Sequence, residues 1–414
     1  MMPSATLTFV FAIERGAPAP LTQQRTKAAV PFAGKYRVID FTLANCLHSG
    51  LRQVLVLTQY KSHSLHKHLR DAWSVFNAEL GEFITAVPPQ MRTGHDWYGG
   101  VLDALRQNRY LIERSGAEHV LLLDGGLVYR MDYAELIRAH RERAAAVTCA
   151  VRPAGAAVAG GAVALHCDDA DCIQGLTQRP EVDPDITFDA PMGAYLVDKA
   201  LLLAELDTLA DAEAGSTSAV DSAAPPGAGA DLAIRLLPSL LARERVCAYR
   251  FGGERGRVTP DRYWSDLGST DAYFRANMAL LEAQPQLDLY QPDWNILTYQ
   301  GQYPPARTVP GATSGNEGIF VNSMLAAGTV IRGGGVSHSV LFPLVEVNDG
   351  AIVDEAILFE GVTVGEGAQL RRCICDKDVV IRPGERIGFD RAADEARFEV
   401  SPDGIVVVPK GEQV

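Results

Sequence analysis

Apolar and polar positions follow two different periods along the chain, and the first half alternates strand-like with helix-like segments. Short β-branched runs at residues 7–12, 53–58, 119–123 and 147–152 predict buried strands, because strands covered on both faces are almost continuously apolar. Between them, residues 64–76 and 103–112 place apolar side chains at helical spacing. This alternation is typical of a doubly wound α/β domain with a mostly parallel sheet.

Near the carboxyl end, apolar positions recur every six residues. They form the sets Val345, Ala351 and Ile357, then Val364 and Leu370, then Ile381 and Ile387. One inward side chain per face of a triangular coil gives this period, so it predicts a parallel β-helix. The open ends and flat faces of such a solenoid favour contacts between subunits.

Two segments interrupt these patterns. Residues 209–230 are rich in Gly, Ala, Ser and Pro and lack periodic apolar positions, which predicts a flexible surface loop. Residues 287–318 carry four prolines, so regular helix is not expected there. The expected organisation is therefore an α/β domain over residues 1–286, a linker over 287–318 and a β-helix over 319–414.

Composition and charge narrow the class of protein. The 414 residues include 38 basic and 51 acidic side chains, and the resulting charge of −13 disfavours a nucleic-acid partner. No apolar run approaches the roughly 18 residues of a membrane span, and the first residues lack the features of a signal peptide. We therefore expect a cytoplasmic protein without a membrane partner. Seven cysteines without a C-x-x-C pair predict reduced thiols.

Several segments carry a resemblance to a known family. They read RTKAAVPFAGKYRVIDFTLANCLHSG at 25–50, TQYKSHSLHKHL at 58–69, WYGGVLDALRQN at 97–108 and YWSDLGSTDAYFRAN at 263–277. With the hexapeptide tail, they closely resemble bacterial ADP-glucose pyrophosphorylase, also called glucose-1-phosphate adenylyltransferase. The resemblance implies a Rossmann-like nucleotidyltransferase domain with a mixed, mostly parallel sheet, followed by a left-handed parallel β-helix.

The same resemblance implies an activity and partners. Members of the family form tetramers and convert ATP and glucose 1-phosphate into ADP-glucose and pyrophosphate in glycogen biosynthesis. Such a reaction requires neutralisation of phosphate charge, by backbone N–H groups of a glycine turn, by basic side chains and by Mg²⁺ held on carboxylates. Sugar phosphates and related metabolites commonly regulate these proteins.

The glycine turn of the family, A-G-G-x-G-T-R-L after the first strand, is not kept. An ungapped alignment places Ala12 and Ile13 at the paired glycines, Glu14 at a basic position and Ala17 at the catalytic arginine. Side chains at the glycine positions block close approach of phosphate to the backbone, and Glu14 repels a triphosphate. A shifted register, with residues 15–16 on the central Arg-Gly of the family, is the alternative.

The metal-binding pattern is also altered. Gly126 stands where the family has its first Mg²⁺-binding aspartate, and Asp124 lies two residues earlier. On a strand Asp124 would face the same way about 6–7 Å back, from where it could substitute. The second metal carboxylate survives as Asp266. Its alternative role is to cap a following helix over 268–277.

Residues for the sugar phosphate are partly kept. In the family pattern F-V-E-K-P, Gln178 replaces a glutamate and Arg179 replaces a phosphate-binding lysine. Gly193 and Tyr195 match the S-M-G-x-Y motif. Asp231 matches an aspartate of a third motif, with an ordinary surface position as its alternative.

Two further groups of residues match the family. The nucleotide-binding candidates, which packing alone could also explain, are Lys27, Trp97, Tyr98, Gly100 and Asp103. The candidates for an anion or effector site are the basic side chains Arg25, Lys35 and Arg37. These cations lie close together in an otherwise acidic chain, which favours a phosphate ligand over simple solvated charge. Structural roles are expected for His48, His63, His66 and His68.

Two functional hypotheses follow. In the first, the chain has lost turnover and acts as a ligand-binding regulatory subunit, in a homotetramer or in a heterotetramer with an active paralogue. In the second, it is an active ADP-glucose pyrophosphorylase with an unconventional phosphate loop and metal site. Scaffold residues are kept while residues of the chemistry are changed, and this contrast favours the first hypothesis.

Overall fold

A computed structural model describes residues 6–14, 18–90, 97–155, 163–178, 187–214, 227–253 and 262–414. The chain forms two compact units, Met1–Arg15 with Phe41–Trp264, and Gly16–Asp40 with Ser265–Val414. Residues 16–40 and 265–286 therefore group with the C-terminal unit, although the sequence pattern places them in the first domain. The domain boundaries at 286 and 318 stay a prediction.

Helices in the described residues are mostly short. They are α1 Val38–His48, α2 His63–Ala72, α3 Val101–Gln107, α4 Arg109–Arg114, α5 Tyr133–Glu142, α6 Lys199–Ala214, α7 Gly227–Arg235, α8 Leu237–Leu241, α9 Thr270–Met278 and α10 Arg391–Glu395. None of these helices is both long and apolar enough to cross a bilayer.

Strands occur throughout the described residues. Those before the last unit are β1 Thr6–Ala12, β2 Pro31–Phe32, β3 Tyr36–Arg37, β4 Gln53–Thr58, β5 Phe83–Val87, β6 His119–Asp124, β7 Val128–Tyr129, β8 Val147–Ala154, β9 Val163–Cys167, β10 Ile173–Gln178, β11 Phe188–Asp198, β12 Val246–Arg250 and β13 Trp264–Ser265. The remainder are β14 Arg307–Val309, β15 Ile319–Val321, β16 Met324–Leu325, β17 Val330–Arg332, β18 Gly335–Ser337, β19 Val340–Leu341, β20 Glu346–Val347, β21 Ile352–Leu358, β22 Thr363–Val364, β23 Gln369–Cys375, β24 Val380–Ile381, β25 Arg386–Ile387, β26 Glu399–Val400 and β27 Val406–Val408.

A mixed sheet forms the centre of the first unit, with the order β10-β9-β11-β6-β1-β4-β5 and with β8 beside β11 and β12. Strand β1 pairs in parallel with both β4 and β6, and β11 runs antiparallel to β6. Every residue of β1 is buried, because helices cover both faces of the sheet. The predicted α/β fold is confirmed, and the four predicted strands correspond to β1, β4, β6 and β8.

Three local expectations need correction. The helix predicted over 103–112 is two helices, because the buried Asn108 amide donates to Ala104 O (2.9 Å) and to Tyr98 Oη (2.9 Å), which competes with a continuous helix. Helix α2 ends at Ala72 instead of residue 76. The loop expected over 209–230 is shorter, because α6 continues to Ala214 and α7 begins at Gly227, while residues 215–226 lie outside the described ranges.

The second unit contains the parallel β-helix. Ile331, Val347, Val364 and Ile381 are in register on consecutive strands of one face, and each coil takes about 17 residues. The inward positions expected from the six-residue period are buried, with at most 1% exposure: Val345, Ala351, Ile357, Val364, Leu370, Ile381 and Ile387. The predicted C-terminal left-handed β-helix is therefore confirmed. All seven cysteines are unpaired.

Candidate functional site

The carboxyl ends of β1 and β6 lie side by side at one edge of the first unit's sheet, where ligands bind in open α/β sheets. Asp124 is the last residue of β6 and is 3% exposed. Its Oδ1 accepts a hydrogen bond from Gly126 N (2.8 Å), and its Oδ2 accepts one from Gly229 N (3.4 Å). Both oxygens of this predicted metal ligand are therefore used by the backbone.

Glu14 follows β1 at the same edge. Its Oε1 accepts a hydrogen bond from Ala228 N (2.9 Å) in the first turn of α7. A Cβ built on Gly227 would lie 3.1 Å from Glu14 Oε1 and 3.4 Å from Asp124 Oδ2, so the two carboxylates converge on the amino end of this helix. Helix amino ends carry partial positive charge and unpaired N–H groups, which attract anions. Here the carboxylates of Glu14 and Asp124 occupy the position that such an anion would take.

Gly193 and Tyr195 lie beside Asp124 on β11. Gly193 has a φ of +86°, and a Cβ at this position would lie 2.7 Å from Leu127 Cδ1 and 3.0 Å from Asp124 Cβ. The hydroxyl of Tyr195 donates to Gly229 O (2.6 Å), and burial raises the pKa of Tyr195 well above its ordinary value. These two predicted sugar-phosphate residues thus fix the position of α7 against the sheet.

Asp231 is buried in α7 at 1% exposure, which corrects the alternative of a surface position. Its Oδ2 accepts from Val101 N (3.0 Å) at the start of α3, and its Oδ1 pairs with Arg235 Nε (2.7 Å). Gly100 immediately precedes α3, and a Cβ there would lie 3.1 Å from Asp231 Oδ2. The carboxylate therefore joins α7 to the segment that matches the family's nucleotide-binding pattern.

The other predicted nucleotide-binding residues of this segment differ in exposure. Asp103 accepts from Gly99 N (2.9 Å) and from the side chain of Gln107 (2.9 Å). Tyr98 is buried, whereas Trp97 is 43% exposed and packs against the ring of Tyr60 with 5.9 Å between centroids. Thus Asp103 organises its own loop, and Trp97 presents an aromatic face to solvent.

Several predicted residues lie elsewhere. Residues 15–17 and Arg179 are outside the described ranges. Lys27 and Asp266 belong to the second unit. The Oδ1 of Asp266 accepts from Gly268 N (3.0 Å), and the following helix α9 is capped by Ser269, whose hydroxyl accepts from Ala272 N (3.1 Å). Helix capping, the alternative to a metal-binding role for Asp266, is therefore wrong.

The predicted effector cations of the second unit are in different environments. Arg25 is 4% exposed, donates to Leu21 O (3.3 Å) and forms an ion pair with Asp376 (2.8 Å). Arg37 is half-buried and donates to Ala29 O (3.2 Å), and burial lowers its pKa. Lys35 is exposed, with its Nζ 5.8 Å from the ring centre of its neighbour Tyr36.

Two charged residues of this region were not expected from the sequence. Lys377 forms an ion pair with Glu360, which also accepts from Tyr303 Oη (2.9 Å). The pKa of Lys377 lies below its ordinary value: burial is the largest effect and lowers it, Glu360 raises it, and Arg37 and Arg25 lower it. We name Arg25, Arg37, Glu360, Asp376 and Lys377 the cation cluster. The coil length indicates this ion pair in the sequence. Glu360 and Lys377 are 17 residues apart, which is the length of one coil, so their side chains lie above one another on consecutive coils.

Comparison with known proteins assigns the class. Residues 19–283 match the family model for nucleotidyl transferases, and residues 304–408 match the GlmU-like C-terminal hexapeptide. The chain thus combines a nucleotidyl transferase fold with a hexapeptide β-helix. The first of these matches begins after β1 and after the altered turn.

Whole-chain comparisons give the particular family. A glucose-1-phosphate adenylyltransferase 2 of Vibrio parahaemolyticus is 47% identical over 400 residues, covering 95% of this chain and 96% of the relative. The corresponding protein of Vibrio cholerae is 47% identical over 403 residues, with 95% of each chain covered. A glucose-1-phosphate adenylyltransferase of Methylococcus capsulatus is 38% identical over 411 residues, 97% of this chain and 93% of the relative. The chain belongs to the glucose-1-phosphate adenylyltransferase family, which acts in glycogen synthesis.

Nucleotidyl transferases generally use Mg²⁺, and the two carboxylates at this sheet edge, Glu14 and Asp124, are poor ligands for that ion because both already accept backbone N–H groups of α7. Gly126 offers no ligand, and both oxygens of Asp124 accept backbone N–H groups. Across the described ranges, three potential metal-ligating side chains converge only at His119, His140 and Asp198, which lie at the opposite edge of the sheet.

Proposed function

We propose that this member of the glucose-1-phosphate adenylyltransferase family is catalytically impaired and acts as a ligand-binding regulatory subunit with an active paralogue. The observation that carries the proposal is the convergence of Glu14 and Asp124 on the amino end of α7. In the family, the nucleotide binds at this edge of the sheet. Here two negative charges already use the N–H groups of the helix.

The charge of these carboxylates opposes a nucleotide. At about 5 Å and an effective dielectric constant of about 20, two unit charges of like sign repel by about 3 kcal/mol. A penalty of this size weakens binding roughly a hundredfold for each contact. The turn that would offset it has Ala12 and Ile13 in place of glycines, and both side chains are buried. Among the described residues that directly follow β1, Ile13 and Glu14, none carries a positive charge that could bind the phosphates.

The cation cluster supports the ligand-binding part of the proposal. It holds three cations in one partly buried place, and the pKa of Lys377 is lowered by burial in spite of its ion pair with Glu360. An additional anion beside Lys377 would therefore be stabilised. A phosphate group offers the oxygens that guanidinium and ammonium groups bind in charge-assisted hydrogen bonds. We infer that a sugar phosphate or a related effector binds here, with Lys35 as an exposed neighbour.

The alternative is an active ADP-glucose pyrophosphorylase with an unconventional phosphate loop and metal site. Its support is the 47% identity to relatives named for that activity. In this alternative, the shifted register of the altered turn supplies positive charge for the phosphates, and Asp124 replaces the missing aspartate as a ligand of Mg²⁺.

One assay distinguishes the regulatory subunit from the active enzyme. Pyrophosphate release is measured with Mg²⁺, ATP and glucose 1-phosphate, for the chain alone and mixed with the active paralogue of the same organism. We expect no turnover alone, no rescue by Gly126→Asp, and an altered effector response in the mixture. Turnover by the unmodified chain would establish the enzyme instead, and rescue by that single substitution would refute the proposal that the altered turn prevents catalysis.

Ligand binding is tested separately by thermal shift, because a ligand that binds only the folded state raises the melting temperature. The ligands are ATP, glucose 1-phosphate, fructose bisphosphate and inorganic phosphate. We expect at least one to raise the melting temperature, and Lys377→Gln to abolish the shift. The control Lys67→Gln removes an exposed lysine of α2 in the first unit, which holds no residue of the cation cluster. If none of the four ligands shifts the unmodified chain, the sensing role is wrong.

A further inference from the structure

Three polar side chains meet at the edge of the first unit's sheet that lies opposite Asp124. His119 is the first residue of β6, and Asp198 is the last residue of β11. These strands are antiparallel, and the two residues are direct partners in the register. His140 comes from α5. Because Asp124 is at the far end of β6, this cluster lies about 16 Å from it along the strand.

The ligand atoms have the spacing of a metal site. Asp198 Oδ1 lies 3.0 Å from His119 Nδ1 and 3.2 Å from His140 Nε2, and the three atoms lie within 4.8 Å of one another. Tetrahedral Zn²⁺ with bonds of about 2.0–2.1 Å places its ligand atoms about 3.3 Å apart. Movements of a few tenths of an ångström at the measured pairs would therefore admit the ion.

Surrounding contacts orient the ligands. His140 Nδ1 is hydrogen-bonded to Thr148 Oγ1 (2.8 Å), which leaves Nε2 directed at Asp198. The two imidazole rings are nearly perpendicular, at 79° with 5.0 Å between centroids, so they converge on the carboxylate instead of stacking. A second contact that fixes the other nitrogen is the usual arrangement for a metal-binding histidine.

The cluster has an open side. The side chain of His140 is 2% exposed and that of His119 is 14% exposed, whereas that of Asp198 is 42% exposed. The ion would enter past the carboxylate and keep a water as its fourth ligand. Lys199, the next residue, does not neutralise Asp198, because its Nζ donates to Ser115 O (2.6 Å) and Glu113 O (3.2 Å).

We propose that His119, His140 and Asp198 bind a divalent transition-metal ion such as Zn²⁺ and that the ion joins β6, β11 and α5 away from the sheet edge that holds Asp124. Two imidazoles and one carboxylate are ligands that Zn²⁺ and Co²⁺ accept, whereas Mg²⁺ prefers oxygen ligands. The site is independent of the proposed regulatory function, because its residues take no part in the cation cluster or in the convergence of Glu14 and Asp124.

The test uses the full chain, freed of metal with a chelator and titrated with Co²⁺ and then with Zn²⁺. We expect one Co²⁺ per chain with the visible absorption of a tetrahedral site, displaced by one equivalent of Zn²⁺, and a Zn²⁺-dependent rise in melting temperature. His119→Gln and Asp198→Asn each remove a direct ligand. Each should therefore weaken binding by at least 10-fold to 100-fold, the range found when only a contact supporting a ligand is lost. His166→Gln is the matched control, because His166 is an exposed histidine bonded to Thr177.

Three results would overturn the proposal. One is the absence of a one-to-one Co²⁺ complex with the unmodified chain. A second is equal affinity in His119→Gln, Asp198→Asn and His166→Gln. A third is an absorption band from thiolate to Co²⁺, which would place the ion on cysteines. Circular dichroism of the metal-free variants confirms that each one is folded before the titration.

Discussion

The ion pair between Arg25 and Asp376 gives a sharp test of how the second unit is stabilised. Both side chains are nearly inaccessible, at 5% and 7%, and the guanidinium lies 2.8 Å from the carboxylate. Replacing Arg25 by Met keeps most of the apolar stem and leaves the buried carboxylate without its cation. Loss of one partner of a buried pair costs about 3–5 kcal/mol. We therefore expect Arg25→Met to destabilise the second unit by this amount.

The chain offers a matched control. Arg275 pairs with Asp403 at 3.3 Å, but these side chains are 71% and 50% exposed. An exposed pair contributes less than about 1 kcal/mol, so Arg275→Met should change stability little. The double variant Arg25→Met with Asp376→Asn removes both charges, while the Asn carbonyl can still accept from Lys377 N as Asp376 does (2.6 Å). It should lose less stability than Arg25→Met alone.

Calorimetric melting measures these changes. For a unit of 150–250 residues, about 1 kcal/mol shifts the melting temperature by about 2–4 °C, so Arg25→Met should lower it by about 6–20 °C. The reasoning is refuted if Arg25→Met and Arg275→Met lower the melting temperature equally. It is also refuted if the double variant is less stable than the single one, because the cost would then not come from an unpaired buried charge.

The other predictions concern a glycine, the β-helix core and pH. Gly193→Ala should lower the free energy of unfolding in urea by about 2–4 kcal/mol, because Gly193 has a positive φ and an added Cβ would meet Leu127 and Asp124. In the control Gly50→Ala, φ is +76° but no atom lies within 4 Å of the added Cβ, so the loss should be about 1–2 kcal/mol. Ile331→Ala, at 0% exposure, should cost about 2–5 kcal/mol, whereas Ile319→Ala, at 57%, should stay within about 0.5 kcal/mol; equal effects would contradict the inward register. Burial opposes ionisation of Glu360, but Lys377 and its other partners hold its pKa below the ordinary 4.5. A depressed carboxyl pKa contributes stability that is complete above pH 4.5 and is lost as pH falls through the folded-state pKa. Between pH 3 and pH 7, the melting temperature of Glu360→Gln should therefore depend less on pH than that of the unmodified chain. An unchanged pH profile would contradict a stabilising role for the ion pair between Glu360 and Lys377.

Local sequence patterns predicted the regular elements well. The apolar run at residues 53–58 predicts a strand, and β4 spans these residues, because an apolar run flanked by polar residues is typical of a buried strand. The six-residue period identified inward positions of the β-helix, because each coil repeats the same environment. The apolar spacing does not predict the break at Asn108, because it continues past this residue and carries no information on the side-chain hydrogen bonds of Asn108 to Tyr98 Oη and Ala104 O.

The sequence by itself determined the fold class, the β-helix core and the family, and it located the altered turn and Gly126. These features depend on local periodicity and on motifs that are read within short segments. Tertiary structure decided what the remaining polar side chains do. Glu14 meets Ala228 across 214 residues, Asp231 meets Val101 across 130, and His119 meets Asp198 across 79. No local pattern encodes such pairs, because they form only when the strand order brings distant segments to one edge of the sheet.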